Sequence, residues 1–145
     1  MSNDAPVTVL SEDESWSLLS SMSLGRIVTV LGGQPEIFPV NFVTQRRTVL
    51  FRTAQGTKLY SAVMGNWVAF EADYHDAPLT YGWSVIIKGR AQVLSANADI
   101  LDAEEAPLRS WIATLKPLYV RVIASEITGR RFKFGPEPDR ESTFA

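Results

Sequence analysis

The chain has 145 residues, fourteen of them basic and sixteen acidic, with a formal net charge of −2 and no cysteine. This length falls in the single-domain range, and the charge balance argues against nucleic-acid binding driven by bulk charge. The missing thiols exclude disulfides, thiolate catalysis and cysteine-ligated metals, and fit a reducing, cytoplasmic setting.

Residues 1–9 lack the basic start and apolar core of a secretory signal, and no apolar run reaches membrane-spanning length. Ser11-Glu12-Asp13-Glu14 reads as a capping box, with Trp16, Leu19 and Met22 following at helical spacing, which predicts a first helix over 11–22. Strands over 26–31 and 36–43 flank Gly32-Gly33-Gln34-Pro35, a hairpin signal. A strand over 48–53 is expected to pair with the second of these across Gln45-Arg46-Arg47, and a meander is the simplest arrangement. Lys58, Leu59, Ala62 and Val63 then form a helical pattern with Thr57 as N-cap and Gly65 as stop.

A strand over 67–73 follows, and after a polar loop a longer one over 83–94. In the latter, Trp83, Val85 and Ile87 share one face and Ser84, Ile86 and Lys88 the other, with Gly89 marking a bulge or bend. The segment 97–114 reads as helical with an interruption near Pro107. A final strand over 118–127 puts Leu118, Val120, Val122 and Ala124 on one face. Six strands with few helices predict a mainly β chain, an antiparallel barrel closed or partly closed on itself. The tail over 136–145 is polar, contains two prolines and is expected to be loosely ordered.

The chemistry concentrates at 51–59, F-R-T-A-Q-G-T-K-L. A strand ends there and a helix opens near Thr57, so Lys58 puts a positive charge at the positive end of the helix dipole. A phosphate near charge −2 removes that conflict. It would match Lys58 and Arg52, with Thr53, Thr57 and the helix amides completing the hydrogen bonds, each charge-assisted bond contributing about 1.5–3 kcal/mol. The competing reading is a surface lysine and arginine beside an ordinary turn, since no G-x-x-x-x-G-K-[ST] consensus is present.

Other clusters point to less. Asp73, His75 and Asp76 read as a solvated turn and no metal site is expected, while Asp102, Glu104 and Glu105 read as a solvated helix face. Glu71, on an otherwise apolar strand, is expected to pair with an arginine such as Arg52 or to face an interface. His75 is the sole histidine and no nucleophile elbow is present, so no Ser-His-Asp arrangement is supported and catalytic residues stay unassigned.

The order of the hairpin, P-V-N-F at 39–42, F-R-T-A-Q-G-T-K-L at 51–59, F-E-A-D at 70–73 and G-W-S-V at 82–85 followed by Gly89 resembles the pyridoxamine 5'-phosphate oxidase-like flavin-binding split barrels. The similarity spans roughly residues 10–132 and is to the small actinobacterial members in particular. It implies a six-stranded antiparallel split β-barrel in one domain over 1–145, and a homodimer with two FMN sites at the interface. It also implies a small-molecule substrate, with neither nucleic acid nor membrane as partner.

Carried onto this sequence, the resemblance puts Pro39, Val40 and Asn41 beside the flavin ring and Arg52 and Thr53 along the ring and ribityl chain. Thr57 and Lys58 fall at the phosphate, and Ser84 against the flavin between Trp83 and Val85, Trp83 being a candidate stacking wall. The expected activity is that of an FMN-dependent oxidoreductase on a small planar or conjugated molecule. A deazaflavin-dependent reductase of the same fold and a non-catalytic flavin or haem binder are the alternatives. The match departs from the true pyridoxamine phosphate oxidases at two places. No histidine accompanies Arg130 and Arg131, and Thr57 stands where a second basic residue precedes the lysine, which argues against vitamin B6 oxidation.

Overall fold

Ser11 accepts a hydrogen bond from the Glu14 N–H at 3.1 Å, and the Glu14 carboxylate accepts one from the Ser11 N–H at 3.2 Å, so the capping box is closed and α1 runs over Glu12–Leu19. The helix stops short of residue 22. The Ser20 and Ser21 hydroxyls donate to the carbonyls of Trp16 and Leu18, offering the backbone a local alternative to another turn. This computed structural model describes residues 5–141, so the expectations for residues 1–4 and for the end of the tail, 142–145, lie outside the described residues.

Six strands carry the sheet: β2 (Leu24–Leu31), β3 (Gln34–Asn41), β5 (Thr48–Thr53), β6 (Trp67–His75), β7 (Tyr81–Val93) and β8 (Leu118–Lys133). Two three-residue strands, β1 (Val7–Val9) and β4 (Val43–Gln45), and two further helices, α2 (Lys58–Val63) and α3 (Asn97–Glu104), complete the chain. All pairings are antiparallel, in the order β3-β2-β6-β7-β8-β5-β4, with β1 on β8. One buried cluster takes Ile27 from β2, Val40 from β3, Phe51 from β5, Phe70 from β6, Val85 and Ile87 from β7 and Val122 from β8. Every long strand faces it, so the sheet curls around a single core as a split barrel.

The Gly32-Gly33 turn, with φ of 57° and 78°, joins β2 and β3 by the two-residue loop that both glycines favour. Beyond it, the hairpin expected across Gln45-Arg46-Arg47 forms through β4, with Val43↔Leu50, Thr44↔Val49 and Gln45↔Thr48, but β3 itself is not laid against β5 and the meander does not continue. β5 pairs with β8 from Thr48↔Ile123 to Thr53↔Leu118, and β2 takes β6 as its second neighbour. Phe42, the one residue between β3 and β4, is buried in the core edge-on to Phe70 at 4.7 Å. Past it the chain enters β4, which pairs with β5 at the far end of the sheet.

Gly89 marks a register shift between β7 and β8, as the bulge reading predicts, and a Cβ there would lie 2.0 Å from the Ile123 carbonyl oxygen. Helix α3 ends at Glu104, and residues 105–117 form a loop, where helix with an interruption near Pro107 was expected as far as residue 114. Pro107 and Pro117 bracket this segment and disfavour helical backbone in the residues before them. The last strand exceeds its predicted end because β7 and β1 supply partners as far as Lys133. Among the described residues no helix is long and apolar enough to cross a membrane.

Candidate functional site

A small open pocket lies between β3, β5 and the 105–117 loop. Pro39, Val40 and Asn41 of β3, Arg52 of β5 and Leu59 of α2 line one side. Leu108, Arg109, Ser110, Ile112 and Lys116 of the loop line the other. Three of these ten residues are cationic and none is acidic. The structure thus brings together Pro39, Val40, Asn41 and Arg52 of the residues expected at the site.

Period-two alternation puts Arg52 there: Phe51 and Thr53 are buried, so the side chain between them points out of the core. Its Nε is buried without a hydrogen-bond partner. Such an orphan donor costs about 1–3 kcal/mol, which a ligand acceptor in the pocket would recover. The loop is fixed opposite by Asn41, whose Oδ1 accepts from the Trp111 N–H at 2.8 Å while its Nδ2 donates to the Ser23 carbonyl at 3.1 Å. Within the loop, the Lys116 ammonium donates to the Ser110 hydroxyl at 3.2 Å, the Ile112 carbonyl at 3.4 Å and the Thr114 hydroxyl.

The other expected residues lie elsewhere. Thr57 caps α2, its hydroxyl accepting from the Tyr60 N–H at 3.1 Å and donating to the Ala54 carbonyl at 2.7 Å, and the buried Thr53 hydroxyl sits 3.2 Å from it. Lys58 is 2.8 Å from Glu36 of β3. The charge conflict at the start of α2 is therefore met inside the chain by a carboxylate, and a helix of six residues has little dipole to oppose. Trp83 and Val85 point into the core. Trp83 is 3% exposed and stacks on Tyr74 with ring centroids 6.4 Å apart, so in this chain it offers no open face for a substrate. Ser84 is half-buried on the opposite face of β7, in register between Asp73 and Arg130. None of the three lines the pocket.

Glu71 pairs with an arginine, as expected, but with Arg26 at 2.8 Å rather than Arg52. Burial, then the neighbouring Asp73 carboxylate, pushes its pKa up to about 7 against the opposing pull of Arg26. Asp102 is an anchor rather than part of a solvated face. It pairs with Arg46 and lies 3.8 Å from Arg121, and Arg46 holds its carboxyl below the usual carboxylate range. Asp76 closes a turn through the N–H groups of Thr80 at 2.7 Å and Tyr81 at 3.0 Å.

Arg109, Ser110 and Ile112 fall in the segment expected to be helical and Lys116 just beyond it, so none of the four stands out in the sequence as a pocket residue. The signal available was two cations between two prolines only ten residues apart, a spacing too short for a capped helix of ordinary length.

Comparison with known proteins shows the family of this fold. Residues 11–131 match the family described as pyridoxamine 5'-phosphate oxidase. An uncharacterized protein of Mycobacterium tuberculosis is 61% identical over 103 residues, covering 71% of this chain and 92% of its own. The structure of the FAD binding protein from Mycobacterium smegmatis is 52% identical with a TM-score of 0.78, covering 88% of this chain and 99% of that one. A conserved protein of unknown function from Corynebacterium diphtheriae is 40% identical with a TM-score of 0.75, covering 88% and 99%. The match runs from the capping box of α1 into the last strand and the curled sheets superpose, so the chain belongs to the pyridoxamine 5'-phosphate oxidase family of split barrels.

Proposed function

We propose that the chain binds a phosphorylated flavin in the pocket between β3, β5 and the 105–117 loop, and that it is an oxidoreductase for a small planar or conjugated substrate. The observation that carries this is the lining, with three cations, no carboxylate and the partnerless Nε of Arg52. Phosphate and ring oxygens are acceptors of the kind that donor lacks, and Pro39, Val40, Leu59 and Ile112 give the apolar contact a ring system needs. The FAD binding protein of Mycobacterium smegmatis, 52% identical, supports a flavin over other anions.

Arg52 binds and orients, and Asn41 holds the loop over the ligand. The Thr53–Thr57 hydroxyl pair stiffens the strand end. Lys58 reaches a phosphate by exchanging its ion pair with Glu36, and exposed pairs of this kind are worth about 0–1 kcal/mol, so the exchange costs little. Trp83 and Val85 support the sheet from the core, and Ser84 faces away from this pocket within one chain. A homodimer fits the exposed apolar side chains Val30, Ile37 and Trp67 on the β2–β3–β6 face, which a second copy would cover. When bound, the flavin supplies hydride or electron transfer, and the protein supplies its position and surroundings.

The test is an absorbance spectrum of the purified protein followed by titration with FMN, FAD, riboflavin and a deazaflavin. Tighter binding of the phosphorylated flavins than of riboflavin is the expected result. Binding of the deazaflavin alone, or of no flavin, overturns the reading.

A further inference from the structure

The inward face of the sheet continues past the packed core. Residues paired across neighbouring strands point to one side, so Arg131 of β8 shares that face with Trp83 of β7 and with Thr8 of β1, and Lys133 shares it with Tyr81. Beyond Trp83 the face opens into a cavity of about 550 Å³ between β1, α1 and the ends of β7 and β8. None of its lining residues is shared with the pocket against the 105–117 loop. We infer that this cavity is a second binding site, for a small planar aromatic carboxylate, with Arg131 on the carboxylate and Tyr81 against the ring.

A charge on an inward-facing position is the first ground. Strand positions on the core side are ordinarily apolar, and an arginine there needs a partner. Arg131 forms neither a hydrogen bond nor an ion pair among the described residues. The one carboxylate in the lining, Glu14, is engaged elsewhere, accepting from the Ser11 N–H at 3.2 Å. Its hydrogen bonds with Ser11 are what chiefly hold that carboxyl below the usual range, and the charge of Arg131 adds the smallest pull. The planar donor fork of the guanidinium therefore borders open space, and a carboxylate matches it in shape and sign.

The walls are the second ground. Tyr74 stacks on Trp83 at 6.4 Å and lies 6.0 Å from Tyr81, so an aromatic run leads out of the core and ends on a half-exposed ring that lines the cavity. Leu10 and Leu18 give an apolar wall. A flat ring gains contact from both surfaces, and the volume lies in the range of about 300–1,000 Å³ usual for small-molecule sites. Both walls are fixed. The Leu10 N–H donates to the Gly129 carbonyl and the Lys133 N–H to the Pro6 carbonyl, each at 2.9 Å. A Cβ on Gly129 would lie 2.3 Å from the Ser15 hydroxyl oxygen, so α1 sits directly on β8 and the space is not left by a loosely hung helix.

The test is equilibrium binding, by calorimetry and saturation-transfer NMR, of benzoate, benzamide and cyclohexanecarboxylate to the full chain and to Arg131→Gln, Tyr81→Ala and Glu14→Gln. Arg131 and Tyr81 are exposed to solvent, and glutamine serves as well as glutamate in a capping box, so all three variants are expected to fold, which circular dichroism checks. Benzoate should bind with a Kd of about 1 mM or tighter, and benzamide and cyclohexanecarboxylate at least about fivefold more weakly. Arg131→Gln should bring benzoate down to the affinity of benzamide and leave benzamide within about twofold, whereas Tyr81→Ala should weaken both. Glu14→Gln, which removes the one opposing charge, should tighten benzoate by about threefold. No preference for benzoate over benzamide, or equal weakening of the two by Arg131→Gln, overturns the inference, and equal binding of cyclohexanecarboxylate removes the planar ring from it. Saturating FMN should leave benzoate affinity within about twofold. Mutual exclusion of benzoate and FMN puts the benzoate in the flavin pocket and overturns the second site, whereas benzoate binding with these dependences in a chain that binds no flavin keeps it and overturns the flavin reading alone.

Discussion

Glu36 and Lys58 meet at 2.8 Å across the gap between β3 and the first turn of α2, so this chain carries its own anion at the position where a phosphate is expected. The carboxylate and a ligand phosphate then compete for one ammonium. Glu36→Gln should tighten FMN and FAD by up to about fivefold, the worth of an exposed ion pair, and leave riboflavin unchanged. Lys58→Ala should weaken both phosphorylated flavins by about tenfold and spare riboflavin. Titration of the three flavins checks both variants, and a parallel change in riboflavin would count against a phosphate at Lys58.

Asn41 joins the pocket's two walls through its side chain alone. Asn41→Ala removes two hydrogen bonds and should cost about 1–2 kcal/mol of stability, together with faster amide exchange over residues 106–117. Urea unfolding and peptide-resolved hydrogen exchange measure the two effects. Loss of stability with unchanged exchange in the loop would show that Asn41 does not fix it.

Gly89 leaves no room for a side chain, a Cβ falling 2.0 Å from a backbone oxygen that cannot move without breaking the β7–β8 ladder. Gly89→Ala should destabilise the protein by about 3 kcal/mol or more, or prevent soluble expression. An unfolding midpoint equal to wild type would contradict the register at the bulge.

Glu71 gives a pH signature. Its pKa stands at about 7 in the folded chain, above the ordinary 4.5, so the folded state holds a proton that the unfolded state releases. The stability that Glu71 contributes is therefore fully present below about pH 4.5 and declines as pH rises through the window to about 7, by about 1–2 kcal/mol after allowance for partial exposure and the Asp73 and Arg26 neighbours. Glu71→Gln should lose that decline. Denaturant unfolding of both proteins at several pH values isolates the group as a difference, and a difference constant with pH would remove Glu71 as its source.

Local signals in the sequence were read well where the structure depends on local physics. The capping box, the paired glycines of the β2–β3 turn, the alternation of β7 and the bulge at Gly89 are each written within a few residues. The second partner of β5 is not. Its β4 edge follows from the local turn at Arg46-Arg47, whereas its other edge is taken by β8 across residues 54–117, a pairing that no local pattern specifies. The same distinction divides the pocket. Pro39, Val40, Asn41 and Arg52 belong to recognisable runs, whereas Arg109 and Lys116 join them only through tertiary structure, and the counter-ion of Lys58 lies on another strand.

The strands at the two ends of the sheet, β3 and β4, are separated in the chain by Phe42 alone. The open barrel is thus stitched along its slit by one peptide, but closing it needs β5 to find β8 across residues 54–117. Such a distant pairing forms late in folding because the entropy of a long loop must be overcome first. The pocket draws on β3, β5 and a segment inside that excursion, so it is complete only when the slit is shut. A bound ligand should therefore act as a brake on unfolding and leave the folding rate nearly untouched, lengthening the life of the native state rather than hastening its arrival.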